Sequence, residues 1–222
     1  IRPDMATMLA YIATDASVDQ GLLQECLEQA VAPSFNSITV DGDTSTNDAC
    51  VLMASGAADA AAITKHNSAY ASLCDTVLAV CMDLARAIVK DGEGATKLVE
   101  VLVEGAADVA EARTVAYTIA HSPLVKTALF ASDPNWGRIL AAVGRAGVEQ
   151  LDIAAVRIWL GEVCIVQDGG RARNYSEQAG QSVMDRDEFT IRVELARGDA
   201  DTRVLTCDFS YDYVKINAEY RT

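Results

Sequence analysis

A hydroxyl group working without a histidine is the chemistry this sequence offers most readily. Only two histidines, His66 and His121, occur in 222 residues. Neither accompanies a Gly-x-Ser-x-Gly turn or a protease-like cysteine, so a Ser/Cys-His triad has no frame. A solvated His66 and a capping or packing His121 suit those positions better. The glycine-bearing run Asp91-Gly92-Glu93-Gly94-Ala95-Thr96-Lys97 does not match Gly-x4-Gly-Lys-Ser/Thr, and its acids would repel phosphate. Asp41, Asp43 and Asp48 lack the closing glutamate of an EF-hand loop and read as a hydroxyl-rich polar turn. What remains is threonine acting as its own base. That requires a free α-amine, which titrates at about pH 8 and lies beside the hydroxyl. Cutting the peptide bond between Ala6 and Thr7 would create one, because a small residue precedes Thr7 and an apolar strand follows it. Threonines that open strands are more often structural, so these residues alone leave both readings open.

The elements that must position such a threonine are legible from periodicity. Met8 to Thr14 reads as a buried strand. Ser17-Val18-Asp19-Gln20 fits a capping box, followed by apolar residues at helical spacing from Leu22 to Val31 and closed by Pro33. Ser37 to Val40 reads as a strand leading into the polar stretch Asp41–Asp48, with Cys50 to Ala54 apolar again. Ser68 to Lys90 carries one continuous apolar face, and Asp91–Gly94 stops it. A strand over Leu98–Val103 follows, then helices over Asp108–Ala120, Leu124–Phe130 and Arg138–Ala146, with a turn at Asp133–Gly137. Beyond Leu151 strands dominate: Val156–Leu160 and Val163–Val166, then alternation over 191–196. Gly198–Asp201 is placed to turn that last strand into Arg203–Phe209 as a hairpin. The class is α/β or α+β in packed layers. Residues 1–110 form a first part bearing Thr7, and 111–222 a C-terminal α/β subdomain.

Composition narrows the partners. With 18 Lys+Arg against 32 Asp+Glu the net charge is −14, which opposes a nucleic-acid partner. No apolar run approaches the roughly 20 residues of a membrane span, and Ile1-Arg2-Pro3-Asp4 lacks the plan of a signal peptide. The six cysteines form no CxxC pair and read as buried thiols in a reducing compartment, not as a disulfide framework or metal site. No metal, no cofactor and a cytoplasmic location are therefore expected.

Five blocks together resemble one family. Pro3-x-Met5-Ala6-Thr7-Met8-Leu9 is similar to the self-cleavage site of the ornithine acetyltransferases, the bifunctional glutamate N-acetyltransferases of arginine biosynthesis. The likeness continues in Ile38–Asp48, in Asp91–Lys97, in Ser132-Asp133-Pro134-Asn135-Trp136-Gly137-Arg138, and in Val214–Thr222. The resemblance implies a self-processing αββα-like sandwich with a C-terminal α/β subdomain. It makes Thr7 the nucleophile, freed by self-cleavage after Ala6. Glu93, Asn217 and Thr222, with Thr7, become the substrate-binding residues. The family passes acetyl from N2-acetylornithine to glutamate through an acetyl-threonine, and some members also accept acetyl-CoA.

The resemblance further implies a partner. The family's precursor has an N-terminal half that becomes an α chain and supplies the oxyanion hole, so this sequence corresponds to the β chain of an α2β2 assembly. Here six residues precede Thr7, so its amine is tied up until Ala6–Thr7 is cut. The Asp41–Asp48 block reads as structural support, either a polar network bracing the site or a well-bonded turn between two strands; Trp136 and Arg138 read as pocket lining, and Trp136 beside Pro-Asn-Gly equally as a turn anchor. The rival enzyme reading is an N-terminal-nucleophile amidase or aminopeptidase, in which water takes the acyl group. The rival outside enzymology is an inactive assembly subunit, against which Thr7, Glu93, Asn217 and Thr222 all speak.

Overall fold

The computed structural model describes residues 8–44 and 47–219. The chain divides between Ala87 and Ile88 into two compact units. This lies upstream of the 110/111 boundary expected above, because the strand Leu98–Ala106 pairs entirely with strands that follow it.

In the first unit β1 (Leu9–Thr14) and β2 (Ala49–Ala54) pair in parallel, Leu9 opposite Ala49. Between them α1 (Gln20–Val31) starts at Asp19, whose side chain accepts from Gly21 N–H at 2.9 Å. Ser17 is not the cap. Its carbonyl accepts from Ile63 N at 2.8 Å, and Val18 bridges to Ile63, so this stretch is extended and the helix starts later. Nor do residues 37–40 form a strand. Phe35–Ser37 is a 3₁₀ turn, held where Ser34 and Ser37 donate to the Ala30 and Ala32 carbonyls at 2.6 and 2.9 Å. Ile38, Thr39 and Val40 are nonetheless buried. The long α2 (Ser68–Lys90) has the limits its periodicity predicts, burying Tyr70, Val77, Cys81, Ala85 and Val89.

The second unit is built on a six-stranded mixed sheet ordered β6-β5-β4-β7-β3-β8. In chain order its elements are β3 (Leu98–Ala106), α3 (Val109–Ala120), α4 (Pro123–Phe130), α5 (Trp136–Gly144), β4 (Arg157–Leu160), β5 (Val163–Gln167), β6 (Gly170–Arg171), α6 (Glu177–Met184), β7 (Glu188–Glu194), β8 (Ala200–Cys207) and α7 (Tyr211–Glu219). Val99, Val101 and Val103 of β3, Ile191 and Val193 of β7, and Ile158 and Leu160 of β4 face a core shared with α3 and α5. The alternate positions carry cross-strand pairs, Arg192–Glu104 and Arg203–Glu100, as on a sheet with one wetter face. β7 and β8 are not a hairpin. β3 lies between them, parallel to β7 and antiparallel to β8. Their connection arches over the end of β3, with Arg197 and Gly198 N–H both donating to Gly105 O. A side chain at Gly198 would strike the Ala106 carbonyl.

Arg197 on that arch grips Glu111 of α3 through two hydrogen bonds of 2.9 and 3.1 Å. These bonds hold the Glu111 carboxyl below its ordinary value of 4.5. A carboxyl depressed in the folded state stabilises above its unfolded pKa and loses that contribution as pH falls through the folded value. Glu111→Gln should therefore unfold at lower denaturant than the parent at pH 7, with the gap closing below about pH 4. Urea titrations at several pH values read this directly, and a gap independent of pH would refute it.

Candidate active site

Among the residues singled out from the sequence, Glu93 and Asn217 are described; Ala6, Thr7 and Thr222 lie outside the described residues. Glu93 sits on the turn between α2 and β3. Gly92 N–H donates to Val89 O and Ala95 N–H to Gly92 O, which fold the chain sharply back after the helix. Gly94 takes φ +66°, a conformation that favours glycine. Asn217 sits on α7 near the other end of the chain. The two meet. Asn217 Nδ2 donates to the Tyr213 carbonyl at 3.0 Å and to Glu93 Oε2 at 3.4 Å. Both side chains are exposed, so their polar atoms remain open to a ligand.

What holds α7 against the turn is a set of contacts that sequence reasoning missed. Asp208 follows β8 and is almost wholly buried. Its Oδ1 accepts from the N–H groups of Thr96 and Lys97, each at 2.8 Å, and its Oδ2 from Thr96 Oγ1 at 2.7 Å. Two residues on, Ser210 Oγ donates to Gly94 O at 2.6 Å and accepts from Tyr213 N at 3.2 Å. One hydroxyl thus starts α7 and ties it to the Glu93 turn. Phe209 stacks on Tyr213 with ring centroids 4.4 Å apart, and Phe130 meets Tyr211 edge-on. Beneath lies Lys126, buried to 1% exposure. Its ammonium donates to Thr206 Oγ1 at 3.0 Å and to the Cys207 carbonyl, and faces the Phe209 ring. Burial pushes the Cys207 thiol up, against the pull of that ammonium.

The turn's other flank is braced as well. Lys97 Nζ donates to Ser132 Oγ at 2.7 Å and to the Met184 carbonyl, and Ser132 sits at φ +51°. Asn135 caps α5 by accepting from Arg138 N. Trp136 opens that helix and packs against the core. The Ser132–Arg138 block therefore supports the Glu93 turn through Lys97. A cleft of about 300 Å³ opens beside the turn between Lys90, Thr96, Lys97, Asp187 and Glu188. His66 pairs with Glu25 at 3.0 Å, and His121 ends α3 beside Tyr117. Among the described residues no cluster of His, Cys, Asp or Glu is arranged to hold a metal ion, and no helix is long and apolar enough to cross a membrane.

In the first unit the polar stretch approaches the start of β1. Asp48 Oδ1 accepts from Met8 N–H at 2.7 Å, and Ala49 N–H donates to Met8 O at 2.9 Å. Asp41 accepts from Asp43 N–H at 2.9 Å, closing the turn before it.

Residues 1–222, the whole chain, match the sequence model of the ArgJ family. The chain belongs to the ArgJ family. It is 64% identical over 225 residues to the arginine biosynthesis bifunctional protein ArgJ of Methylococcus capsulatus, and 57% identical over 223 residues to that of Pseudomonas fluorescens. All of this chain is covered in both, against 54% and 55% of the relatives, so it spans about half their length. The crystal structure of arginine biosynthesis bifunctional protein ArgJ from Bacillus halodurans is similar at TM-score 0.90 and 42% identity, over 96% of this chain and 100% of the solved one. Two of the candidate residues, Glu93 and Asn217, thus touch across 124 positions of sequence.

Proposed function

We propose that this chain is the nucleophile-bearing β part of a glutamate N-acetyltransferase, moving acetyl from N2-acetylornithine to glutamate in arginine biosynthesis. The observation that carries the reading is the Asn217–Glu93 contact at 3.4 Å in a chain of the ArgJ family. It joins an anion and an amide donor, which suit the side-chain ammonium and an α-substituent of ornithine.

In this reading Thr7, freed by self-cleavage after Ala6, attacks the acetamide carbonyl through Oγ. Its α-amine takes the hydroxyl proton and returns it to the leaving ornithine amine, so the C–N bond breaks and an acetyl-threonine ester remains. The amine of glutamate then attacks the ester, and Oγ recovers its proton. Glu93, Asn217 and Thr222 hold the substrate, which places a poor electrophile beside the hydroxyl. The oxyanion donors come from an α chain, the other half of the precursor, in an α2β2 assembly with the layered αββα sandwich, in the cytoplasm. Acetyl-CoA serves as a second donor, consistent with the word bifunctional in the relatives' names.

Two features support the missing half. β1 and β2 are a lone parallel pair among the described residues of their unit, whereas parallel strands normally sit in larger sheets covered on both faces. Their shared face leaves Leu9 and Tyr11 60% and 65% exposed, with Val51 and Met53 alongside. The solved Bacillus halodurans chain is matched along its full length, while the curated relatives are matched along half.

The test is to produce the chain together with the upstream half and sequence its N-terminus. Thr7 should be the first residue, and quenching with N2-acetylornithine should leave acetyl on the peptide that begins there, discharged by glutamate faster than by water. An uncut Ala6–Thr7 bond in a folded complex would overturn the reading; discharge to water alone would make the protein an amidase.

A further inference from the structure

The proposed reaction leaves unused the lysine that α4 carries into the interior. Ser122 caps this helix and Pro123 opens it, so position 126 joins Val125 and Leu129 among its buried residues. An apolar side chain would fill that place without the cost of burying an ammonium. Lys126 is 1% exposed, and contacts from both its ends converge on one short segment, residues 206–209. Nζ donates to Thr206 Oγ1 at 3.0 Å and to the Cys207 carbonyl, and lies 4.5 Å from the centroid of the Phe209 ring. The Lys126 carbonyl accepts from Phe209 N–H at 3.1 Å. Thr206 Oγ1 gives its own hydrogen to the Ala120 carbonyl at 3.3 Å, which leaves its lone pairs for the ammonium.

From that segment the contacts run on to the candidate site. The Phe209 ring stacks on Tyr213, centroids 4.4 Å apart and planes 15° from parallel. Such a stack brings two electron-rich faces together, and an ammonium against one ring draws density away from it. Tyr213 stands one helical turn before Asn217. Its carbonyl accepts from Asn217 Nδ2 at 3.0 Å, and the same nitrogen reaches Glu93 Oε2 at 3.4 Å. Among the described residues of α7 none is buried, so few contacts seat this helix. Ser210 fixes where it begins, but a helix held at its first turn can still pivot about that end. The ring stack is what aligns the next turn. We infer that Lys126 is a positioning residue for substrate binding: acting through Phe209 and Tyr213, it sets the orientation of α7 and so holds Asn217 beside Glu93. The inference rests on the reading of Glu93 and Asn217 as the place where the side-chain ammonium and an α-substituent of N2-acetylornithine bind. Lys126 itself touches neither substrate nor reacting atoms.

Lys126→Met keeps the length and the apolar stem and removes the charge. Produced together with the upstream half, this variant should show a KM for N2-acetylornithine raised about 10-fold, the scale of one desolvated cation–ring contact. Its kcat should stay near the parent value, since binding and not chemistry is disturbed. Phe209→Leu removes the ring through which the ammonium acts, so adding Lys126→Met to it should raise KM far less than in the parent. Hydrogen exchange followed by peptide mass needs no turnover. Residues 211–219 should exchange faster in Lys126→Met, while β3 and α3 keep the parent rates. If the parent shows no acetyl transfer, the proposed function fails, and the exchange rates still decide what Lys126 holds. Should Lys126→Met not fold, Phe209→Leu alone carries the test, and parent-like exchange over 211–219 in it refutes the inference. Unchanged exchange over 211–219 in Lys126→Met, an equal increase across the whole second unit with a lower Tm, or KM effects that multiply in the double variant would overturn it as well.

Discussion

Replacing Gly94 by alanine is expected to destabilise the protein by about 3–5 kcal/mol, enough to lower Tm by roughly 6–20 °C. Two independent penalties combine. At φ +66° an alanine carries the left-handed strain of about 1–2 kcal/mol. Its Cβ would also run into the Tyr213 backbone nitrogen and lie 2.9 Å from the Asp212 carbonyl carbon, atoms that no rotamer change can move away. Gly147 separates the two effects. It has φ +79° and nothing within 4 Å of a built Cβ, so Gly147→Ala should cost about 1 kcal/mol through strain alone. The clash at Gly94 pushes α7 off the turn, and with it Asn217 from Glu93. On the proposed function, the fraction of Gly94→Ala that still folds should bind N2-acetylornithine more weakly, with the effect on KM exceeding that on kcat. Thermal melts and steady-state kinetics of the two alanine variants, side by side, check both halves. Equal melting temperatures would show that the approach of α7 to the turn contributes nothing.

How far the sequence could reveal this arrangement depended on the kind of signal each part carries. Local periodicity placed α2 at its true limits, since a 23-residue amphipathic run ending in Asp-Gly-Glu-Gly leaves little ambiguity. It also found β1, β2, β3 and α3, α4 and α5 of the second unit, but neither α6 nor α7, which lie where the sequence reads as strands and a tail. Pairing was not legible. The alternation over 191–196 marks a strand but does not name its neighbour, and a Gly-Asp turn before the next apolar run resembles a hairpin. β3, some ninety residues earlier, takes the place between β7 and β8 because its valines supply the middle of the core. Capping failed locally for a similar reason, as the distant bridge from Val18 to Ile63 outweighed the Ser17 motif. Within the site, Glu93 and Asn217 were identified only through the family resemblance, since exposed polar residues on a turn and a terminal helix carry no periodic signal. Asp208 escaped altogether. It sits between Cys207 and Phe209 in a run that reads as apolar strand, and its partners Thr96 and Lys97 lie 112 and 111 positions away. The one hint was an acid inside an apolar run, which burial must pair with donors.

That acid carries the second large effect. Asp208→Ala should destabilise by about 2–4 kcal/mol, because it leaves the Thr96 and Lys97 N–H groups without their charged acceptor and opens a buried space. Asp208→Asn should be milder, about 1–2 kcal/mol. The amide oxygen can still accept from both N–H groups, and the Thr96 hydroxyl can rotate to accept from the new amide. The functional consequence follows the same order. The carboxylate fixes residues 96 and 97, so it sets where the turn carrying Glu93 begins its run into β3. Ser210, two residues further on, fixes Gly94 from the other side. Loosening one anchor leaves the other, so on the proposed function KM for the acetylated substrate should rise moderately in Asp208→Asn. It should rise steeply when Ser210→Ala is added, by more than the product of the single effects, since the two anchors hold one turn. Chemical denaturation and kinetics of the two single variants and the pair measure this coupling. Strictly multiplicative effects would mean that Asp208 and Ser210 act on separate structures, and the Glu93 turn would then need another account of what holds it beside Asn217.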